Sequence, residues 1–183
     1  TLATTVFEKE SVNAVGGQLY VANSTIYTGS SQLSATETTM SVANVGGFAQ
    51  GEIISAKKIS DTGFQTEYMF INSASRDYPN NDKDLTGKLY VTRGYSGSLP
   101  GTHDTGSLGD AAQSSQTYES GQVIVSTGKV GTGYIRLNAN PNDSATPFMD
   151  IVERTGSAIY DVDLKVRLGD LSGLSSGLVG SNP

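Results

Sequence analysis

The sequence predicts an all-β fold: two small antiparallel β-barrel-like or sandwich-like modules with extended connectors. Glycine is frequent, with 22 copies among 183 residues, and only 16% of the residues are charged. The apolar residues are grouped into runs of strand length that turn residues separate. The net charge of -6 is modest for this length, so the composition is that of a folded chain and not of a disordered one.

The first half of the chain contains a predicted extended lead-in, 1–28, and a predicted small β-domain, 29–106. The lead-in has two short strand candidates, 18–22 and 25–27. Asp61-Thr62-Gly63 is typical of a hairpin turn. The regular spacing of strands and turns predicts a small barrel or sandwich, with strand candidates at 40–42, 52–59, 66–71 and 88–93.

The second half contains a predicted connector, 107–117, a β module, 118–173, and a linker to a following module, 174–183. The clearest alternation in the sequence lies at 161–168, where apolar residues at even positions alternate with charged ones. We expect the apolar side to face the core and the charged side to face solvent. Neighbouring strand candidates are 122–125, 134–137 and 147–153. The chain begins without Met, and we interpret it as a fragment of a longer protein.

Composition argues against several classes of function. Cysteine is absent, which excludes a disulfide framework, a thiolate metal site and a cysteine nucleophile. No run approaches the roughly 20 apolar residues needed to cross a bilayer, so no membrane insertion is expected. The 12 basic residues are scattered through an acidic chain, which argues against a nucleic-acid partner. No cofactor and no metal are expected.

His103 is the only histidine, so any Ser-His-Asp site or histidine-ligated metal would require it. Its flanking residues Thr102 and Asp104 are sequence neighbours, whereas a catalytic triad is assembled from distant segments. We interpret His103 as a structural residue of a glycine-rich turn. Asp161 and Asp163, the closest approach to a paired-carboxylate glycosidase site, are interpreted as exposed strand residues. The chain is not expected to be an enzyme.

Arg93 is predicted to be a structural clamp, because its planar fork stands at the end of a strand directly before Gly94. Either Glu67 or Glu52 could be its carboxylate partner. Gly94 and Gly97 are expected to supply positive φ in the turn, which a side chain would penalise.

An Asx-rich loop has the composition from which calcium sites are made. Its oxygen-bearing residues are Asp77, Asn80, Asn81, Asp82 and Asp84. The pattern has neither the glycine nor the bidentate glutamate of an EF-hand, so a solvated hairpin loop is predicted. One alternative is an irregular calcium site, which would need extra carbonyls from elsewhere in the chain. The other is that the loop contacts a partner subunit or a glycan, for which the candidates are Tyr78, Asn80, Asn81 and Asp82.

Two segments of the sequence resemble known protein modules. Glu67-Tyr68-Met69, followed by Leu89-Tyr90-Val91-Thr92-Arg93-Gly94-Tyr95-Ser96-Gly97-Ser98 with His103 and Gly106 downstream, resembles a small β-domain of phage structural proteins. That resemblance spans about 39–106, and Ser98 stands where threonine is usual. The second resemblance is to a module of tail-fibre and tail-tip proteins. It rests on residues 133–139, 147–156 and 166–173, and the third of these ranges contains the run Arg167-Leu168-Gly169-Asp170-Leu171-Ser172-Gly173.

These resemblances imply a structural component of a phage tail fibre, tail tip or baseplate that contributes to virion assembly and host attachment. They also imply that the two β modules form part of a longer fibre-like chain. The location would be the virion, assembled in the host cytoplasm, with other virion proteins as partners and a homotrimeric shaft. One alternative is an adhesin for host surface glycan, with Tyr20, Tyr27, Tyr78 or Tyr95 as stacking residues. The other is a capsid decoration protein, because the first β-domain also occurs in head-associated contexts.

Overall fold

The computed structural model describes residues 18–19, 24–25, 33–60, 63–95, 115–139 and 145–174. These ranges contain strands and turns but no helix, so the predicted all-β class is confirmed. These described ranges contain no helix long and apolar enough to cross a membrane. The strands are β1 (Gln18–Leu19), β2 (Ser24–Thr25), β3 (Thr39–Val42), β4 (Ile53–Ser60), β5 (Gly63–Arg76), β6 (Gly87–Thr92), β7 (Val123–Ser126), β8 (Gly133–Asn138), β9 (Phe148–Arg154) and β10 (Val162–Gly169).

The larger sheet has six strands in the order β2-β7-β4-β5-β6-β3 and curls into a half-barrel. Strands β4 and β5 pair from Ile53 opposite Phe70 to Ser60 opposite Gly63, which confirms the predicted hairpin. Strand β5 is 14 residues long, and its pairing with β6 shifts between Ile71 and Ser73. A bulge of this kind increases the local twist, which helps a long strand to curl.

The core of the half-barrel comes from alternate residues of its strands. Strand β6 shows the alternation plainly, because Leu89 and Val91 are buried whereas Lys88 and Tyr90 are exposed. Neighbouring strands add buried side chains on the same side of the sheet. The cluster consists of Leu33, Met40, Val42, Val45, Phe48, Ile54, Ala56, Met69, Ile71, Leu89, Val91, Tyr118 and Ile124.

The chain divides into two compact units that do not follow the predicted boundaries. The first unit comprises 1–21, 134–153 and 163–183, and the second unit comprises 22–133 and 154–162. Strand β7 lies after the predicted connector 107–117, yet it pairs with β4 in the larger sheet, with Ile54 opposite Ser126. The predicted module 118–173 therefore contributes to both units. The physical reason is that pairing with β4, where Ile124 lies opposite Ala56, places this apolar side chain in the buried cluster of the larger sheet.

The smaller sheet has four strands in the order β1-β8-β9-β10. The predicted alternation on β10 is present, but the expected direction of burial is wrong for its second half. Val166 and Leu168 are 42% and 56% exposed, whereas the Arg167 side chain is only 9% exposed. The reason is that Arg167 pairs with the buried carboxylate of Asp150, so this polar pair occupies the covered side of the sheet.

Candidate functional site

The second unit contains a buried ion pair between Glu67 in β5 and Arg93, which follows β6 directly. The Arg93 Nε donates to Glu67 Oε1 at 2.7 Å, and Nη2 donates to Oε2 at 2.9 Å. Both side chains are buried. Two parallel bonds of this kind fix the planes of both groups as well as their distance. Of the two carboxylates considered from the sequence, Glu67 is therefore the partner of Arg93.

The remaining N–H groups of Arg93 hold two other segments of the chain. Nη1 donates to the carbonyls of Ser34 at 3.0 Å and Glu37 at 2.8 Å, and Nη2 donates to the carbonyl of Gln116 at 2.6 Å. All five donors of the guanidinium thus have acceptors. Arg93 joins the segment before β3 and the segment before β7 to the sheet.

Glu67 is equally well supplied with donors. Its Oε1 also accepts from the backbone N–H of Gly94 at 3.1 Å, and its Oε2 accepts from that of Gln116 at 2.8 Å. Gly94 has a φ of 55°, which is the positive φ expected there. The left-handed conformation aims its N–H at the carboxylate, and an L side chain would make that conformation costly. We call the arrangement of Glu67, Arg93, Gly94 and Gln116 the clamp.

Tyr118 lies against the clamp. Its backbone forms a bridge with Leu33, and the Arg93 guanidinium is 5.8 Å from the centroid of its ring. Burial of the phenol, followed by the nearby negative charge of Glu67, raises the pKa of Tyr118. The hydroxyl therefore stays protonated where an exposed tyrosine would ionise.

The raised pKa of Tyr118 predicts a loss of stability in alkali. Unfolded tyrosine ionises near pH 10, so the contribution of neutral, buried Tyr118 is fully present below about pH 10 and falls as the pH rises further. We expect the Tyr118→Phe variant to lose stability less steeply than the wild type between pH 9 and 11, as measured by urea unfolding. The exposed Tyr78→Phe should follow the wild-type curve, and equal slopes for Tyr118→Phe and wild type would contradict the assignment.

Glu52, the other carboxylate considered for Arg93, has a different role. Its Oε1 accepts from the backbone N–H of Ala49 at 3.1 Å, and its Oε2 accepts from the Ser126 hydroxyl at 2.7 Å. Glu52 thus closes the turn before β4 and ties it to the end of β7.

The Asx-rich loop between β5 and β6 is organised by Arg76. Its Nη2 donates to the carbonyls of Asn81 at 2.5 Å and Asp84 at 2.8 Å. The Thr86 hydroxyl and backbone N–H donate to Asp84 Oδ1 at 2.6 and 3.0 Å, and these bonds lower the pKa of Asp84. The guanidinium of Arg76 thus binds carbonyl oxygens that a bound cation would need. Within the described ranges, no three His, Cys, Asp or Glu side chains are grouped to hold a metal ion.

The outer part of this loop is open to solvent. Tyr78 is 59% exposed, and the Asp82 side chain is 99% exposed, with Arg76 Nη1 at 3.6 Å. Asn80 and Asn81 are exposed beside them. The four candidate contact residues therefore lie together in one exposed loop, which has an aromatic ring and several amide or carboxylate groups.

A second buried ion cluster lies in the first unit and was not anticipated from the sequence. Asp150 in β9 is buried and accepts from Arg167 in β10 at 2.6 and 2.8 Å, and from Arg136 in β8 at 2.7 Å. The Phe148 ring lies under both guanidiniums, with its centroid 3.8 Å from Arg167 and 5.1 Å from Arg136. Burial alone would raise the pKa of Asp150, but the bonds from the two arginines outweigh it and lower that pKa.

A third buried cation, Arg154, holds the end of β9. Its guanidinium donates to the carbonyl of Ala158 at 2.6 Å and to the Thr127 hydroxyl at 2.9 Å. Asp161 accepts from the backbone N–H of Ala158 at 2.9 Å, so it stabilises the same turn. Asp163 instead bonds Lys165 at 3.3 Å. The two carboxylates considered as a glycosidase pair thus have separate structural partners.

Of the remaining candidate residues from the sequence, Tyr95 has partners within the fold. The Tyr95 hydroxyl donates to the carbonyl of Ser157 at 2.9 Å, and its ring centroid is 5.0 Å from that of Phe70, so Tyr95 is engaged internally. Four more lie outside the described residues, namely Gly97, His103, Tyr20 and Tyr27.

Comparison of the chain with protein-family models, with curated proteins and with solved structures gives no match.

Proposed function

We propose that this chain is a structural module of a bacteriophage tail fibre, tail tip or baseplate, where it contributes to virion assembly and host attachment. The observation that carries the proposal is the clamp. Arg93 and Gly94 stand in the very segment that resembles phage structural domains, and every donor of Arg93 is used to join parts of the fold. A residue engaged in this way positions backbone and has no donor left for substrate.

The distribution of charge supports a mechanical role. Glu67 and Asp150 are buried carboxylates, and each is bound by arginine through two or more hydrogen bonds. Catalytic carboxylates need access to a substrate and a proton. Buried carboxylates that are saturated with donors instead hold strands in a fixed geometry. The partners in this proposal are other virion proteins, and assembly takes place in the host cytoplasm before lysis.

Labelling of virions tests the proposed location. Antibodies raised against the purified chain, coupled to gold, would be applied to particles of the source phage and viewed by electron microscopy. Label at the tail or baseplate is the expected result, and label on the head would favour a decoration protein instead. Absence of label on particles whose denatured proteins react with the same antibodies in a blot would contradict a surface position in the virion.

A second candidate function, glycan binding, is favoured by the exposed loop that carries Tyr78. Aromatic rings with nearby amides are suited to stacking on sugars and bonding their hydroxyls. If the loop is an adhesive surface, Tyr78→Ala should abolish binding of the chain to host cells, measured by sedimentation with cells. Tyr90→Ala, which removes another exposed tyrosine from strand β6, is the matched control and should bind as the wild type does. Equal binding by both variants would remove the loop from this role.

A further inference from the structure

The outer edge of strand β10 is unpaired among the strands that the structure describes. Strand β10 is the outer strand in the order β1-β8-β9-β10 of the smaller sheet. The strand is eight residues long. An exposed edge of this length presents a row of backbone N–H and C=O groups to which another strand can add. The side chains on it determine which strand would fit.

The charges along the β10 edge of one copy are complementary to those of a second, antiparallel copy. Asp163 and Lys165 lie two apart on the same face of β10, and their side chains are 62% and 46% exposed. Within the chain Lys165 is 3.3 Å from Asp163 and 2.8 Å from Glu153 of β9, and its exposed ammonium can accept a further carboxylate from a second copy. If a second copy of β10 runs antiparallel with Leu164 opposite its own counterpart, each Asp163 lies opposite a Lys165. Directly opposed residues of an antiparallel pair are close enough to interact. The two ion pairs are equivalent, as twofold symmetry requires.

Other registers lack this property. Centring the pair on Asp163 places two carboxylates opposite each other, and centring it on Lys165 places two ammonium groups opposite each other. Like charges that face each other directly are unfavourable. The edge therefore selects one register of self-pairing, the one centred on Leu164.

Apolar side chains reinforce the same register. Leu164 would meet its counterpart, and the exposed Val166 would lie opposite Val162 of the second copy. Ile135 and Ile151 are exposed on the same side of the sheet but belong to the inner strands β8 and β9, so they are not part of this contact. Exposed apolar residues along a pairing edge add burial to the backbone hydrogen bonds.

We propose that the outer edge of β10 binds a second copy of this chain, antiparallel and centred on Leu164, to form a twofold dimer. The contact uses each β10 edge once, so it closes at two copies. It differs from the trimer implied by the resemblance to tail-fibre proteins, which would require a threefold contact elsewhere. The inference does not depend on the location in a virion, because it concerns the isolated chain.

Opposite charge changes at the two positions test both the contact and its register. The Asp163→Lys and Lys165→Asp variants would each place like charges opposite one another in their own dimers. We expect each alone to dimerise at least about tenfold more weakly than the wild type, by sedimentation equilibrium over a wide concentration range. An equimolar mixture of the two variants restores opposite charges, so it should recover dimers that contain one copy of each.

The matched control uses exposed charges on the second unit. Asp82→Lys and Lys88→Asp make the same changes of net charge in the other unit, and neither should alter association, alone or mixed. Circular dichroism spectra would show whether all variants keep the wild-type fold. High salt should narrow the differences, because it screens exposed charges.

Three outcomes would overturn the proposal. One is a wild-type chain that remains monomeric at every concentration. Another is a trimer whose mass is the same in both charge variants. The third is a mixture of the two variants that associates no better than either alone. None of these results bears on gold labelling of virions, so failure of the dimer and failure of the proposed location are distinguishable.

Discussion

The Glu67→Gln variant is expected to have a free energy of unfolding about 3–5 kcal/mol lower than the wild type, because it leaves the buried Arg93 without its counter-charge. The amide keeps the size of the carboxylate but has one acceptor atom where Glu67 has two. If the NH₂ group takes the place of Oε1, it faces the N–H donors of Arg93 and Gly94. If it takes the place of Oε2, it faces the N–H donors of Arg93 and Gln116. Urea unfolding followed by circular dichroism at neutral pH measures the difference.

Asp82→Asn is the matched control for this experiment. It makes the same carboxylate-to-amide change at a side chain that is 99% exposed, and its loose contact with Arg76 is 3.6 Å. Exposed pairs of this kind contribute about 0–1 kcal/mol. If Glu67→Gln were no more destabilising than Asp82→Asn, the clamp would not be what joins these segments.

The Asp150→Asn variant is expected to destabilise the first unit by a similar amount, about 3–5 kcal/mol at neutral pH. Two guanidiniums, those of Arg136 and Arg167, would lose the buried carboxylate that they share. Hydrogen exchange, measured by mass spectrometry on peptides from β8, β9 and β10, reports the opening of backbone amides in this unit. Their amides should exchange faster in the variant, while peptides from β4 and β5 should keep wild-type rates.

Acid provides a second test of the same cluster. The pKa of Asp150 is lowered on folding, so its stabilising contribution is present above the unfolded value of about 4 and is lost as the pH falls through the folded value. Exchange of β8–β10 peptides in the wild type should therefore accelerate below about pH 4, relative to model peptides at the same pH. The Asp150→Asn variant should lack that component. Glu153→Gln, an exposed partner of Lys165, is the control and should retain it.

Much of the fold could be predicted because its strands have local signals. Alternation and turn residues located β4, β6 and β10 to within one residue at each end, and Asp61-Thr62-Gly63 indicated the hairpin between β4 and β5. For β5 only the middle was predicted, because the strand continues to Arg76 through residues interpreted as a polar insertion. Such signals depend only on neighbours along the chain. They therefore apply to each strand without knowledge of its partners.

Strand partners could not be predicted in the same way. Nothing in 123–126 indicates that β7 belongs beside β4, because a short apolar run fits the edge of either sheet. The direction of burial on β10 had the same limitation. Alternation shows that two faces differ, but the buried Asp150 decided which of them is covered.

The clamp was accessible from sequence because Arg93 stands at a strand end directly before a glycine, where a fork of donors meets turn carbonyls. The cluster at Asp150 was not. The available signal was one aspartate among the apolar residues of 148–152, and recognising it required knowing that Arg136 and Arg167 lie on the strands to either side. Arg76 and Arg154 were missed for the same reason, since their acceptors are mostly backbone carbonyls that leave no mark in the sequence.

The pairing of β7 with β4 also determines the order in which the larger sheet can form during synthesis. During synthesis the hairpin of β4 and β5 emerges early and can fold from neighbouring residues. The other edge of β4 stays unpaired until β7 has been synthesised. That strand ends at Ser126, whose hydroxyl donates to Glu52 across 74 positions of the chain. Until then the nascent chain carries an open, apolar strand edge, the kind of surface that chaperones protect and that drives aggregation. Expression of a piece ending at residue 106 would make that transient edge permanent.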